Sequence, residues 1–350
     1  MIIRNTKESL RMLGTRKVAL EELAEKTDVM EQKWKDFNTT MFLRLTPDGS
    51  VEFTGTEDGM FNAPEVTRKA DITEHAFGQI CNTVGVPAGY MMKCLDHHQE
   101  DLAIQNYDTW ASLQAPKPQI IRTYDGAVHA QVTSRYNVFD HSDVMHGILD
   151  AMDDPKVKGR YEANQAFLSP DKLHIRFVDF DHPLRTAGDT LHTGFTINSN
   201  NVGSGAFSIR YYIYRFACTN GIVKVQNGGM LFRQTHLNSF REIGPQLFRD
   251  IIFKAKDLDE MTAKQIEAAA KHKFDDVALE QALAKAQKDL HFGKAGKEKI
   301  LELIDSTYDR TQWGLINAVT ETAQDYTLDT RLEMEEWSGR QLTLAGRMAA

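Results

Sequence analysis

Between Phe207 and Tyr214 the chain reads FSIRYYIY. The two-residue period of a strand sends Phe207, Ile209, Tyr211 and Ile213 to one face and Ser208, Arg210, Tyr212 and Tyr214 to the other. If the first face is core, the second presents a guanidinium beside phenol rings. Such a pairing holds a phosphate and stacks a base, at about 1–3 kcal/mol per stacked base. The neighbourhood has the same character: Thr190 to Arg241 contains no acidic residue, yet carries Arg210, Arg215, Lys224, Arg233 and Arg241 among eight Phe and Tyr residues. Basic and aromatic side chains without carboxylates compose a surface that follows a polyanion. The competing reading is a buried sheet, whose strands are also aromatic and poor in charge. Tyr212 and Tyr214 then pack beneath the C-terminal helices, with Arg210 paired to a carboxylate there.

The run Asn198-Ser199-Asn200-Asn201-Val202-Gly203-Ser204-Gly205 offers amides, hydroxyls and free backbone for an anion-holding nest, with an ordinary long turn as the plainer alternative. It lacks the Lys-Ser/Thr ending of a P-loop and leads into a strand, so Walker and dinucleotide-binding mechanics do not apply. Cys81, Cys94, His97 and His98 form a loose group whose cysteine spacing is far from that of a zinc hairpin. Asp179 and Asp181 share a strand face ahead of His182, a geometry that magnesium-dependent nucleases need. No Lys or Glu accompanies them at useful spacing, and a charged strand end before Pro183 is the favoured reading. There is no Gly-x-Ser-x-Gly elbow, and Cys218 reads as a small buried hydrophobe. Neither a metal nor a cofactor is expected.

These residues need a scaffold, and 350 residues with 41% hydrophobic and 26% charged side chains are enough for one large unit or two to three lobes. Collagen-like, low-complexity and disordered classes are excluded. No apolar stretch reaches membrane-spanning length, and Arg4 interrupts the opening MIIRNTKES, so no signal peptide or membrane helix is expected. Three cysteines suit a reducing compartment, and the expected location is the cytoplasm of a host cell. A net charge of −8 argues against a protein that coats nucleic acid over its whole surface.

Residues 1–37 read as a helical arm with a period through Leu10, Leu13, Leu20 and Leu23. Pro47-Asp48-Gly49 joins a hairpin, and Asp71 opens a helical pattern that Gly85 ends and Pro87 restarts. Another helix carries Leu102, Ile104, Trp110 and Leu113, and Ala115-Pro116-Lys117-Pro118 is a stiff connector. Asp125-Gly126 marks a second hairpin, Asp140 and Asp143 the start of a helix running to about Met152, and Asn220-Gly221 a tight turn between strands. Helical spacing then recurs in 247–256, 266–270, 277–290, 300–304 and 313–319. The expected fold is α+β: a central, mostly antiparallel sheet with N-terminal helices and an all-helical C-terminal third. The expected domains are the arm at 1–37, a core at 38–240 and a helical region at 241–350.

Four segments in order carry a resemblance. They are ITEHAFGQICNTVGVPAGYMMK from Ile72, IIRTYDGAVHAQVTSRYNVFDHSDVMHGIL from Ile120, GFTINSNNVGSGAFSIRYYIYRFACTNGIV from Gly194 and TQWGLINAVTETAQDY from Thr311. Over roughly Asp71 to Tyr326 the chain resembles the phage/plasmid-like proteins of the domain-of-unknown-function 932 family, with one departure at His141, where the family pattern has an Asn-like residue. The resemblance implies a mobile-element origin and carries over no catalytic residues.

The residues thus favour a non-enzymatic nucleic-acid-binding protein of a phage or plasmid, with single-stranded DNA binding or annealing as its task. Arg122, Arg135, Arg210, Arg215, Lys224 and Arg233 are the expected phosphate contacts, Tyr136, Tyr212 and Tyr214 the stacking surfaces, and Asn198, Asn200 and Ser204 the loop contacts. Self-assembly through the helical ends is a further expectation. One alternative is an interaction protein that redirects a host factor through an acidic surface; the second is a metal-dependent nuclease on Asp179 and Asp181.

Overall fold

The computed structural model describes residues 2–3, 11–13, 18–59, 63–155, 157–215, 220–224, 229–234, 250 and 258–348. The turn signals of the first half act where they stand. The elements there are β1 (Ile2–Ile3), β2 (Arg11–Leu13), α1 (Leu20–Glu31), β3 (Trp34–Thr39), β4 (Arg44–Leu45), β5 (Val51–Glu57), β6 (Glu65–Ala70) and β7 (Ile72–Thr73). They continue with α2 (Glu74–Val84), α3 (Ala88–Asp96), α4 (Glu100–Ser112), β8 (Gln119–Tyr124) and β9 (Ala127–Thr133). Asp125 and Gly126 both adopt positive φ, the geometry that a two-residue hairpin between β8 and β9 requires. Thr73 caps α2 through its hydroxyl, and Gly85 ends the helix in the left-handed region.

The second half holds α5 (His141–Met152), β10 (Glu162–Leu168), β11 (Lys172–Thr186), β12 (Asp189–Asn200), β13 (Phe207–Arg215), β14 (Asn220–Val223) and β15 (Met230–Gln234). Then come α6 (Asp259–Lys271), α7 (Asp276–Leu290), α8 (Lys294–Ser306), α9 (Gln312–Thr322) and α10 (Leu328–Met348). Asp140 and Asp143 form a reciprocal capping box at the start of α5.

The class is α+β, but the described strands form two sheets. The first runs β1-β7-β9-β8-β3-β5-β4 with β6 beside β5, and the second β14-β13-β12-β11-β10-β2 with β15 beside β13. Among the described strands, only the pairings of β7 with β1 and β9 are parallel. α2, α3 and α4 seal the first sheet around Phe37, Phe53, Phe77 and Ile121. In the second sheet, α1 and α5 pack on Phe177, Phe195, Phe207 and Ile209, while α6, α9 and α10 pack on Tyr211, Ile213 and Ile222. A separate helical core joins α7, α8, α9 and α10 through Leu283, Ile300, Val319 and Trp337.

Several expectations need correction. Among the described residues of the expected helical arm, only Leu20–Glu31 is helix, because Arg11–Leu13 pairs as a strand with β10 and Trp34–Thr39 pairs with β8. Asn220 and Gly221 are not a turn: they pair with Arg215 and Tyr214 inside the β13–β14 ladder. The expected helix at 247–256 and Cys218 lie outside the described residues.

Candidate functional site

The two sheets meet at Arg122. Its side chain is fully buried: Nε donates to Asp36 (2.8 Å), one terminal nitrogen to Asp140 (2.8 Å) and the other to the Asn201 carbonyl (2.7 Å). Its guanidinium also lies 4.7 Å from the centre of the Trp34 ring. Burial alone would lower the Arg122 pKa, but the carboxylates of Asp140 and Asp36 hold it above its ordinary value. Desolvation raises the Asp36 carboxyl despite Arg122. Tyr136 is buried in the same place, donates to the Asn200 carbonyl and is pushed up to about 12 by burial. Arg122 and Tyr136 are therefore structural partners and do not form the expected exposed contacts.

The glycine-rich loop after β12 is clamped from both sides. Asn200 Oδ1 accepts from the backbone N–H groups of Val202 (3.0 Å) and Ser204 (2.9 Å). Two of the donors that an anion nest would offer are thus already used, and the loop opens as an Asx-type turn. The Val202 carbonyl in turn accepts from Gln79 on α2 (2.9 Å). Ser204 and Arg135 are exposed.

The second face of β13 is not solvent-facing. Tyr212 is buried and Arg210 mostly so beneath α10, where Arg210 pairs with Glu336 and Arg176 donates to Glu335 (2.7 Å) and to the Tyr212 hydroxyl (3.3 Å), while Tyr214 is buried against Phe180 and Val223. Burial pushes Tyr212 up to about 12. Asn198 is held by His174 (2.6 Å), and Arg331 reaches both Glu335 and Gln165. Arg215 pairs with Asp189 and reaches the Tyr308 hydroxyl, and Lys224 is fully buried against Thr262 (3.0 Å) and Gln265 (2.8 Å). Of the cations expected on this sheet, Arg233 is exposed. A buried, helix-covered sheet also excludes carboxylates, which is why its composition imitates a binding face.

Asp179 is engaged by Arg160 (2.8 Å) and His182 (2.9 Å), which hold its carboxyl below the usual range against the opposing effect of burial. Asp181 is exposed, and among the described residues no group of three His, Cys, Asp or Glu side chains is disposed to hold a metal. Cys81 and Cys94 are buried free thiols, while His97 and His98 are exposed. Burial pushes the Cys81 thiol up to about 12.

An accessible cationic surface does exist, on the first sheet. A cleft of about 550 Å³ opens beside β3, β6 and the β8–β9 turn, floored by Phe37 and Phe53 and rimmed by Lys33, Lys35, Arg68 and Lys69. These four side chains are each about half exposed and pair with Asp125, Glu57 and Asp48. Of those acids only Asp125 lines the cleft. Arg68 lies over the Phe37 ring at 4.9 Å. Sequence reading missed the cleft because Lys33 and Lys35 fell within the supposed arm and 65–70 was not assigned as a strand. The signal available was Arg68-Lys69, an adjacent basic pair in the alternating run Glu65–Ala70.

Among the described residues, no helix is long and apolar enough to cross a membrane. No curated protein and no solved structure is detectably similar to the chain. The family model of the domain of unknown function DUF932 matches residues 128–341, beginning after the cleft and the Arg122 strand. That span includes the clamped Asn200 loop and the Glu335 network and covers more than half of the sequence, and the chain belongs to the DUF932 family.

Proposed function

We propose that the chain is a nucleic-acid-binding protein of a phage or plasmid, acting on single-stranded DNA during its metabolism, with the first-sheet cleft as its contact surface. The observation that carries this reading is the rim of four half-exposed cations around a cleft with one lining carboxylate. Exposed ion pairs contribute only about 0–1 kcal/mol, so a phosphate exchanges readily with Glu57 or Asp48 for these cations. Phe37 and Phe53 are buried, so contact is with the sugar-phosphate backbone and carries little sequence preference. Fluorescence anisotropy of a labelled single-stranded oligonucleotide tests the reading. Binding weakened by salt, and lost in Lys35→Glu/Arg68→Glu, supports it; binding that the double variant leaves unchanged, or no binding at low salt, rejects it.

A second reading, docking to a host protein, is favoured by one observation. On α4, Leu102 and Trp110 are nearly half exposed and Leu113, just after the helix, is more so, which leaves three large apolar side chains open to solvent along one helix. A nuclease-resistant, stoichiometric complex with one protein, lost in Trp110→Ser, would favour it over the first.

A further inference from the structure

At the other end of the β8–β9 hairpin lies a second cavity, of about 250 Å³. Gln119 opens β8 and Thr123 sits four residues on, bordering the cationic cleft, so the two sites share one face of the strand roughly 13 Å apart. The wall of the cavity includes Gln119 and Gln131, both buried to more than nine-tenths, with Phe42, Pro118 and Val132 as apolar surface and Lys117 exposed at its edge. Among the described residues, no carboxylate lines it.

The side-chain amide of Gln131 donates to the side-chain oxygen of Gln119. Its backbone N–H is held by Gln79 (2.8 Å). The Gln131 Oε1 atom is buried, and among the described residues nothing donates a hydrogen bond to it. A buried acceptor of this kind calls for a donor, and the cavity beside it is where that donor can arrive. Apolar walls favour a flat group, the carboxamide acceptor favours an N–H on its edge, and Lys117 with no opposing acid favours an anionic tail. Carboxamides are the side chains that pair with base edges, their oxygen accepting from an exocyclic amine.

We infer that this cavity binds the amino-bearing base of a nucleotide, with Gln131 Oε1 accepting from the exocyclic amine and Lys117 near the phosphate. The base belongs either to a free nucleotide or to a bound strand; for the strand as source, the inference rests on the nucleic-acid reading above.

The test is calorimetric titration of the full chain with AMP against IMP and with CMP against UMP. Each pair replaces the amine by a carbonyl oxygen, which would meet the Gln131 acceptor head-on. Tenfold or greater preference for the amino member of either pair supports the site; equal binding within both pairs, or no binding at millimolar concentration, overturns it. Gln131→Leu should abolish the preference in the folded variant, whereas a purely structural role for Gln131 would lower Tm and leave the preference intact. If that variant does not fold, the paired titrations on the wild-type chain still decide.

Displacement of AMP by a deoxyadenosine decamer assigns the base to a strand, and absence of displacement assigns it to a free nucleotide. Amino preference without oligonucleotide binding overturns the proposed function and keeps this site. Oligonucleotide binding without amino preference overturns this site alone.

Discussion

The guanidinium of Arg122 donates to the carbonyl of Asn201, 79 residues further along the chain, so a strand of the first sheet holds the loop that follows a strand of the second. The same cation neutralises Asp36 and Asp140, and Asp140 is also the capping residue of α5. One buried side chain thereby ties a hairpin, a helix start and a glycine-rich loop into one unit.

Arg122→Leu leaves two buried carboxylates facing each other without a counter-charge. The expected loss is about 3–5 kcal/mol in urea denaturation. Arg135→Leu, on an exposed residue nearby in sequence, is expected to stay within about 0.5 kcal/mol.

Glu335 is fully buried and receives both Arg176 and Arg331. Glu335→Ala strands two guanidinium groups in the interior and is expected to cost about 3–5 kcal/mol. Because Arg176 also bonds Tyr212 on β13, hydrogen exchange in that variant should rise in β13 and α10 and stay low in the first sheet.

Burial lowers the Lys224 pKa from 10.5 to about 8. The folded chain thus releases this proton near pH 8, while the unfolded chain keeps it to about 10.5. The unfolded state binds more protons in that window, and stability contributed by Lys224 rises with pH across it. Relative to Lys224→Met, the wild-type chain should gain on the order of 3 kcal/mol between pH 8 and pH 10.5, read from denaturation at each pH. A parallel pair of pH profiles would refute the assignment.

At Gly339 an added Cβ would overlap the carbonyl oxygen of Val223, so α10 passes the edge strand β14 at backbone contact. Gly339→Ala is expected to destabilise by about 1–3 kcal/mol and to loosen α10, seen as a lower Tm. Gly78, with open space around its Cβ position, is the matched control on α2.

In the proposed cleft, four neutralised phosphates predict a log–log salt slope of about −3 for a single strand, at about 0.7 per phosphate. Lys69→Ala should reduce that slope by about 0.7.

Local features were legible where one residue's backbone chemistry decides them. Asp125-Gly126, Gly85 and the Asp140–Asp143 pair each act as read, because positive φ and helix capping are properties of a few consecutive residues. The number of sheets was not legible, since alternation reports that a segment is extended and says nothing of its neighbour; β10 pairs with β11 and β2, and β9 with β8 and β7.

The same limit governs the site. The alternation in β13 assigned Arg210 and Tyr212 to one face correctly, but what covers that face comes from α10, more than a hundred residues later. Depletion of acids over the described part of Thr190 to Arg241 thus reflects burial in the second sheet, while the cations of the cleft belong to a segment whose charges balance locally in sequence.

Two short strands at the amino end have an outsized role: β1 is an outermost strand of the first sheet and β2 one of the second. Trimming the first thirteen residues would therefore uncover a raw hydrogen-bonding edge on each half of the molecule at once. Such edges recruit other chains, so a shortened or proteolysed form is expected to stick to itself, and an affinity tag is better placed at the carboxyl end.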